Sequence, residues 1–240
     1  SVGCASLPLI RKVRIALLTT GDELLVPGTA PVQGKIYDSN RPLLAALLQR
    51  LPVELLDIGI IPDDPLALRR AFIRASEWAD VVISTGGVSV GDADYTKTIL
   101  AELGAIDFWK IAMKPGKPFA FGRLGQSWFF GLPGNPVSSL ISFEILARPS
   151  LRKMMGHTQN LTRPTVRAIV DAPMKRKQDG KIHFMRVFGE FTNDGRLHVR
   201  DTGPQGSHQL AATSQANGLA IVPDGQGLPA GAEVDVMLLS

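Results

Sequence analysis

The stretch VRIALLTTGDELL (residues 13–25) decides the fold, because a nearly continuous apolar run, VRIALLTT (13–20), ends in a glycine followed by two acids. A short β-branched run without polar alternation, stopped by a glycine turn, is the pattern of a strand buried on both faces. ADVVISTGG (79–87) repeats it, and VELLDIGII (53–61) is a third such run. Amphipathic stretches with helix start signals lie between them. Asp38-Ser39-Asn40 precedes RPLLAALLQRL (41–51), and Asp64-Pro65 precedes LALRRAFIRASEWA (66–79). Asp64 can cap free N–H groups, and Pro65 suits a first helical turn, which needs no N–H there. A further helix is expected over about 95–103, ending near Gly104, with strands near 106–112, 118–123 and 127–131. Asn135-Pro136 opens the longest helical stretch, VSSLISFEILARPSLRKMM (137–155), in which Pro149 predicts a kink or break. Alternating strands and helices of this kind predict an α/β domain with a mostly parallel sheet.

The texture changes after Gly156. From Arg163-Pro164 onward the segments alternate: TVRAIVDA (165–172), KIHFMRVFGEF (181–191), RLHVRD (196–201), LAIVP (219–223) and AEVDVMLL (232–239). The turns Gln178-Asp179-Gly180 and Asn193-Asp194-Gly195 separate them. This predicts a small antiparallel all-β domain, a barrel or a sandwich. The expected division is a linker or tail over 1–12, an α/β domain over 13–158 and a β domain over 159–240.

Composition narrows the function classes. The 240 residues suit one or two domains, with 45% hydrophobic and 20% charged side chains. No apolar run approaches the roughly 20 residues needed to cross a bilayer. One cysteine, Cys4, cannot form an internal disulfide, which suits a reducing compartment. A cytoplasmic location without membrane attachment is expected. The 26 basic and 22 acidic residues leave a net charge of +4, spread along the chain, and a nucleic-acid binder usually concentrates its cations. No nucleic-acid partner is expected; a small anionic ligand suits the mild excess better. Lys175-Arg176-Lys177, the densest run, reads as a solvated turn.

Four glycine-rich junctions carry the chemistry. In open α/β sheets ligands bind beyond the carboxyl ends of the strands, where helix N-termini present free N–H groups. In TTGDELL (19–25), Asp22 and Glu23 follow the first strand; they read as carboxylates near a metal or a ribose, or as turn caps. STGGVSVGDADYTK (84–97) combines Gly86 and Gly87, which permit close backbone approach, with the hydroxyls of Ser84, Thr85 and Ser89, then Asp92, Asp94 and Lys97. Two hard oxygen ligands beside a phosphate-sized cradle suit Mg²⁺. MKPGKPFAFG (113–122) sets Lys114 and Lys117 on a proline-stiffened turn, as an anion site or as ordinary surface lysines. GLPGNPVSS (131–139) opens a helix, with Ser138 and Ser139 in its first turn, as an anion cradle or a helix cap. No CxxC or HExxH occurs. Of the histidines, His183 and His198 read as structural residues in strands, His157 as a helix end, and only His208 as suited to ligand contact.

Taken in order, TTGDEL, DSNRP, STGGVSVGDADYTK, MKPGKP and GLPGNPVS resemble the molybdopterin molybdotransferases, the family of MoeA and the gephyrin E domain; QGSHQLAATSQANGL (205–219) resembles that family's C-terminal β-barrel. The resemblance runs from about residue 8 to the end. It implies a three-layer MogA-like domain followed by a small β-barrel. It also implies a reaction: adenylated molybdopterin is cleaved with Mg²⁺, molybdate enters the dithiolene, and AMP leaves. By resemblance Asp94, Asp92 and Asp63 hold or serve the Mg²⁺, and Glu23 and Asp22 line the same pocket. Lys114 and Lys117 bind oxyanion oxygens beside Pro118. Pro133, Gly134, Asn135, Pro136 and Ser138 form a cradle, and Arg186 and Ser207 reach over from the β domain. Family members carry two further domains before this region, so the sequence is expected to be a C-terminal part, dimeric in the full-length protein. The molybdopterin adenylyltransferase is an expected partner. The rival readings are a MogA-type adenylyltransferase, which reads GGTG where this chain has GGVSVG (86–91) and lacks the β domain, and a gephyrin-like scaffold.

Overall fold

The computed structural model describes residues 3–87 and 95–239. Strand β1 (Val13–Thr20) leads through two-residue strands β2 (Leu24–Leu25) and β3 (Ile36–Tyr37) to helix α1 (Asn40–Gln49). There follow β4 (Val53–Ile61), α2 (Pro65–Trp78), β5 (Val81–Thr85), α3 (Tyr95–Leu103), β6 (Gly104–Lys110), β7 (Met113–Lys114), β8 (Pro118–Leu124) and β9 (Ser127–Leu132). Then come α4 (Pro136–Ser142), a π-helical turn (Phe143–Ala147) and α5 (Arg148–Met154). The remainder holds β10 (Thr165–Val170), β11 (Met174–Lys175), β12 (Ile182–Phe191), β13 (Leu197–Asp201), α6 (Leu210–Ser214), β14 (Gly218–Val222), β15 (Gly227–Leu228) and β16 (Glu233–Leu238).

The first sheet has the order β4-β1-β5-β9-β8-β6, parallel from β4 to β9 and antiparallel through β8 and β6. Its central strands explain the continuous apolar runs. Ile15 and Leu17 of β1 pack on one face with Leu44 and Leu48 of α1 and Leu151 of α5. Ala16 and Leu18 pack on the other with Leu68 and Phe72 of α2 and Leu100 of α3. Side chains alternate across a strand, so a strand covered on both faces must be apolar at every position. The result is the expected three-layer α/β unit.

Strands β10, β16, β14, β12 and β13 close into a five-stranded barrel, since β13 pairs both with β12 and with β10. The closing β10–β13 pair is parallel, unlike its neighbours, a departure from the all-antiparallel expectation that side-chain alternation does not register. Met113 and Lys114 also pair with Ile182 and His183 of β12, so the lysine loop of the first unit is stitched to the barrel. Val137 and Ile141 of α4 share a core with Met113, Phe184, Leu219 and Met237.

Pro149 does not break its helix. The π turn widens the backbone one turn earlier and the chain continues as α5, which accommodates a residue that has no N–H to give and whose ring crowds the preceding turn. Glu144 of that turn is fully buried and accepts both Nε (2.7 Å) and Nη2 (2.9 Å) of Arg163, with Arg148 at 3.7 Å. This bidentate pair ties the α/β unit to the segment that enters the barrel. Among the described residues no helix is long and apolar enough to cross a membrane.

Candidate functional site

The carboxyl ends of β1, β5 and β9 and the start of α4 enclose a cavity of about 380 Å³. Its lining includes Glu23, Gly86, Gly87, Pro118, Pro133, Gly134, Asn135 and Ser138 from the anticipated set. Glycine is required here for two reasons. Gly86 and Gly87 have φ of 86° and 63°, in the left-handed region. A Cβ on Gly86 would also stand 2.5 Å from the Thr20 carbonyl oxygen.

A second cavity of about 480 Å³ lies between the α/β unit and the barrel. Lys114, Lys117, Pro118, Ser138 and Ser207 line it, together with Lys181 and His208. Pro118 and Ser138 belong to both cavities, so the two are neighbouring compartments. Lys114 also borders a third, of about 400 Å³, with Lys175, Arg176, Lys177 and His183. The barrel loop is anchored to the helix start by Val137 N–H donating to the Ser207 carbonyl at 3.1 Å. That bond and the imino nitrogen of Pro136 leave the first turn of α4 fewer N–H groups for an anion than the sequence suggests. Ser139, buried, donates to the Pro133 carbonyl at 2.6 Å and is structural.

The other anticipated residues are placed differently. Asp22 and Asp63 are exposed and bind each other's backbone N–H groups at 3.0 and 3.3 Å; Asp22 precedes Glu23 in the chain, but both lie outside the cavity linings just described. Ser84 is fully buried, and its Oγ has no partner among the described residues. Lys97 lies over the Phe108 ring at 5.7 Å. Ser89, Asp92 and Asp94 lie outside the described residues. Arg186 is not at the cavity surface. It is fully buried and donates to the carbonyls of Pro204 (2.7 Å) and Gly206 (3.3 Å), holding the loop that carries Ser207.

The Lys175–Lys177 run is a solvated turn only at its ends. The Arg176 side chain is 1% exposed and binds Asp179 (2.9 Å), Asp224 (2.7 Å) and the carbonyls of Lys181, Val222 and Pro223. The Lys181 ammonium, followed by His183, holds the Asp179 carboxyl down at about 2. Burial pushes the His183 imidazole below its ordinary value; the charges of Arg176 and Lys114 add to this, and Asp179 opposes it. His198 is bracketed by Asp171 (2.7 Å) and Asp194 (3.1 Å), the structural role its strand position suggests.

Thr85, one of the hydroxyls singled out in the sequence, lines the first cavity, whereas Thr20 and Asn40, which also line it, were missed. The DSNRP motif contains Asn40, but its helix-start pattern points to capping. Asp38 does serve the helix start, its Oδ1 accepting from Arg41 N–H at 3.1 Å, while the Asn40 side chain crosses to Gly134.

The donor chemistry suits a hard divalent cation. Glu23 is the one carboxylate among the residues that line the cavity, and Asp22 precedes it in the chain. Among the described residues no group of three or more acidic, histidine or cysteine side chains forms a cage, and Mg²⁺ needs only one or two carboxylates when phosphates complete its shell.

Sheet, glycine-floored cavity and the Glu23 carboxylate at the strand ends together define an α/β domain built to hold a ligand beyond its sheet. Residues 16–153 match the family model described as probable molybdopterin binding domain, and the chain belongs to that family. Residues 167–239 match the MoeA C-terminal region, domain IV. A molybdopterin molybdenumtransferase of Haemophilus influenzae is 42% identical over 227 residues, covering 95% of this chain and 56% of that protein. One from a Nostoc species is 35% identical, covering 93% and 52%. The crystal structure of the molybdopterin biosynthesis MoeA protein from Pyrococcus horikoshii superposes with a TM-score of 0.78 at 28% identity, over 95% of this chain and 55% of that one. The chain thus spans about half the length of the relatives it matches.

Proposed function

We propose that this chain carries the site of a molybdopterin molybdotransferase, which inserts molybdate into adenylated molybdopterin and releases AMP. The observation that carries the reading is the pair of compartments sharing Pro118 and Ser138, one floored by glycine and bearing Glu23, the other lined by Lys114, Lys117 and Lys181. Joining an organic anion to an oxometalate requires two negative groups to sit side by side, and fixed cations lower that repulsion. Asp92, Asp94 and Glu23 would hold Mg²⁺, which would supply charge neutralisation at the pyrophosphate. Lys114, Lys117 and Ser207 would bind the oxyanion, while Pro118 and Ser138 form the common wall and Pro133, Gly134 and Asn135 shape the first compartment beside it. Asp22, Asp63, Ser84, Ser89 and Lys97 would support the pocket edge, and Arg186 would act through the loop it holds. In the assembled protein we expect a cytoplasmic homodimer fed by the molybdopterin adenylyltransferase, with residues 1–12 as a linker between domains.

The test supplies adenylated molybdopterin, Mg²⁺ and molybdate and follows AMP release with and without molybdate. Molybdate-dependent release is expected. Asp94→Ala should lower turnover, and Lys114→Ala should chiefly raise the molybdate concentration required. Unchanged release in the first variant, or unchanged molybdate dependence in the second, defeats the corresponding assignment.

A further inference from the structure

Asn40 opens α1 and is 8% exposed. Its Nδ2 donates to the Gly134 carbonyl at 2.7 Å and to Thr85 Oγ1 at 3.4 Å. A carbonyl oxygen only accepts, so the amide orientation is fixed by the network. Oδ1 is therefore turned away from Gly134, and it is buried with no partner among the described residues although Asn40 lines the strand-end cavity. Thr20 Oγ1, in the same lining, is also buried without a partner. A buried acceptor left unpaired is rare in a native fold and calls for a donor. The rest of the lining says which kind. Leu24, Ile36, Pro118 and Pro133 are apolar, and Gly86 and Gly134 present bare backbone, with a Cβ on Gly134 only 3.9 Å from Gly86 Cα. Four apolar side chains, a side-chain-free floor and an oriented acceptor, set beside the polar groups of Thr20, Glu23, Asn135 and Ser138, suit a flat ring edged with N–H groups. Molybdate has no hydrogen to donate.

We propose that Asn40 Oδ1 is a specificity-determining acceptor, taking a hydrogen bond from an amino-substituted fused heteroaromatic ring seated in the strand-end cavity. The inference builds on the proposed function, whose substrate carries two such rings, a pterin and an adenine; it assigns a ring to this compartment and leaves the oxyanion to the lysines.

The test titrates the intact chain with three probes: pterin, adenosine and sodium molybdate. Asn40→Ala removes both the acceptor and the tie to Gly134; Asn40→Asp keeps an acceptor and loses the tie. The expected result is a loss of roughly 10-fold in affinity for one ring in Asn40→Ala, the scale of one hydrogen bond. Molybdate affinity should stay within about twofold in that variant, and Asn40→Asp should keep most of the ring affinity. Whichever of pterin and adenosine responds identifies the ring. Equal loss for ring and molybdate, no loss for either ring, or an Asp variant as weak as the Ala variant overturns the assignment and makes Asn40 a loop tie. If Asn40→Ala does not fold, the assignment stands if Asn40→Asp keeps ring affinity and falls if it does not. Wild-type binding of molybdate but of neither ring overturns this inference alone. Ring binding sensitive to Asn40 without any AMP release would instead overturn the proposed reaction and leave Asn40 as assigned.

Discussion

The two compartments share a wall but are built by opposite means. The strand-end cavity belongs to one unit and is shaped by backbone: Gly86, Gly87, Gly134 and the prolines around them. The lysine-lined cavity is shaped by side chains on two units, Lys114 and Lys117 on one and Lys181 and Ser207 on the other. A backbone-built cavity is fixed once its sheet folds. A cavity between units holds its geometry only while they stay in register, which the β7–β12 pairing, the Val137–Ser207 bond and the Glu144–Arg163 pair enforce. Damage to the junction should therefore reach the second compartment first.

The strongest break is Glu144→Ala. It leaves Arg163 and Arg148 without their buried carboxylate, and removing one partner of a buried pair costs about 3–5 kcal/mol. Urea unfolding should show a loss of about that size. In the surviving folded protein, molybdate binding should fall more than ring binding; an equal fall would mean that the two compartments are not mechanically separate.

Gly86→Ala attacks the other side. Its positive φ and the 2.5 Å approach to the Thr20 carbonyl oppose a methyl group, and such positions cost on the order of 1–3 kcal/mol. Ring binding should drop at least roughly tenfold while molybdate binding is nearly kept, a smaller loss of stability than at Glu144 and the opposite ligand pattern. Lys117→Ala should then weaken molybdate by about tenfold with little change in melting temperature, because its side chain is exposed rather than packed.

The same contrast explains what the sequence reveals. Features governed by local period and turn chemistry were legible. The β1 and β4 boundaries agree with the runs at 13–20 and 53–61, and Asp64 caps α2 through Ala67 N–H at 2.7 Å. The glycine turn at Gly86-Gly87 was legible because it ends a buried apolar run, and it read as a ligand floor only in company with the acids and hydroxyls that follow it. Asn40, Arg176 and Arg186 were not, since each depends on a partner far along the chain: Gly134, Asp224 and the Pro204–Gly206 carbonyls. Nor does alternation reveal the parallel β10–β13 closure, because a strand shows the same faces whichever way its neighbour runs. Pro149 does not produce the break that was one of its two readings, for a related reason. Its missing hydrogen bond is absorbed by a π turn that no residue pattern announces.

The smallest effect is also the most local reporter. His183 sits near Lys114 and Arg176, and burial together with those charges lowers its pKa from 6.5. A group whose folded pKa is depressed lends stability above its unfolded pKa and loses it as the pH falls through the folded value. His198 is raised instead, by Asp171 and then Asp194, so its contribution is complete below about 6.5 and disappears as the pH rises through the folded value. NMR titration of the two imidazoles should find them on opposite sides of 6.5. Adding molybdate neutralises the field at Lys114, so it should move His183 upward and leave His198 in place, and Lys114→Ala should shift His183 the same way without any ligand. A His183 that ignores molybdate while the protein still binds it would put the oxyanion away from Lys114, and the division of labour between the two cavities would have to be redrawn.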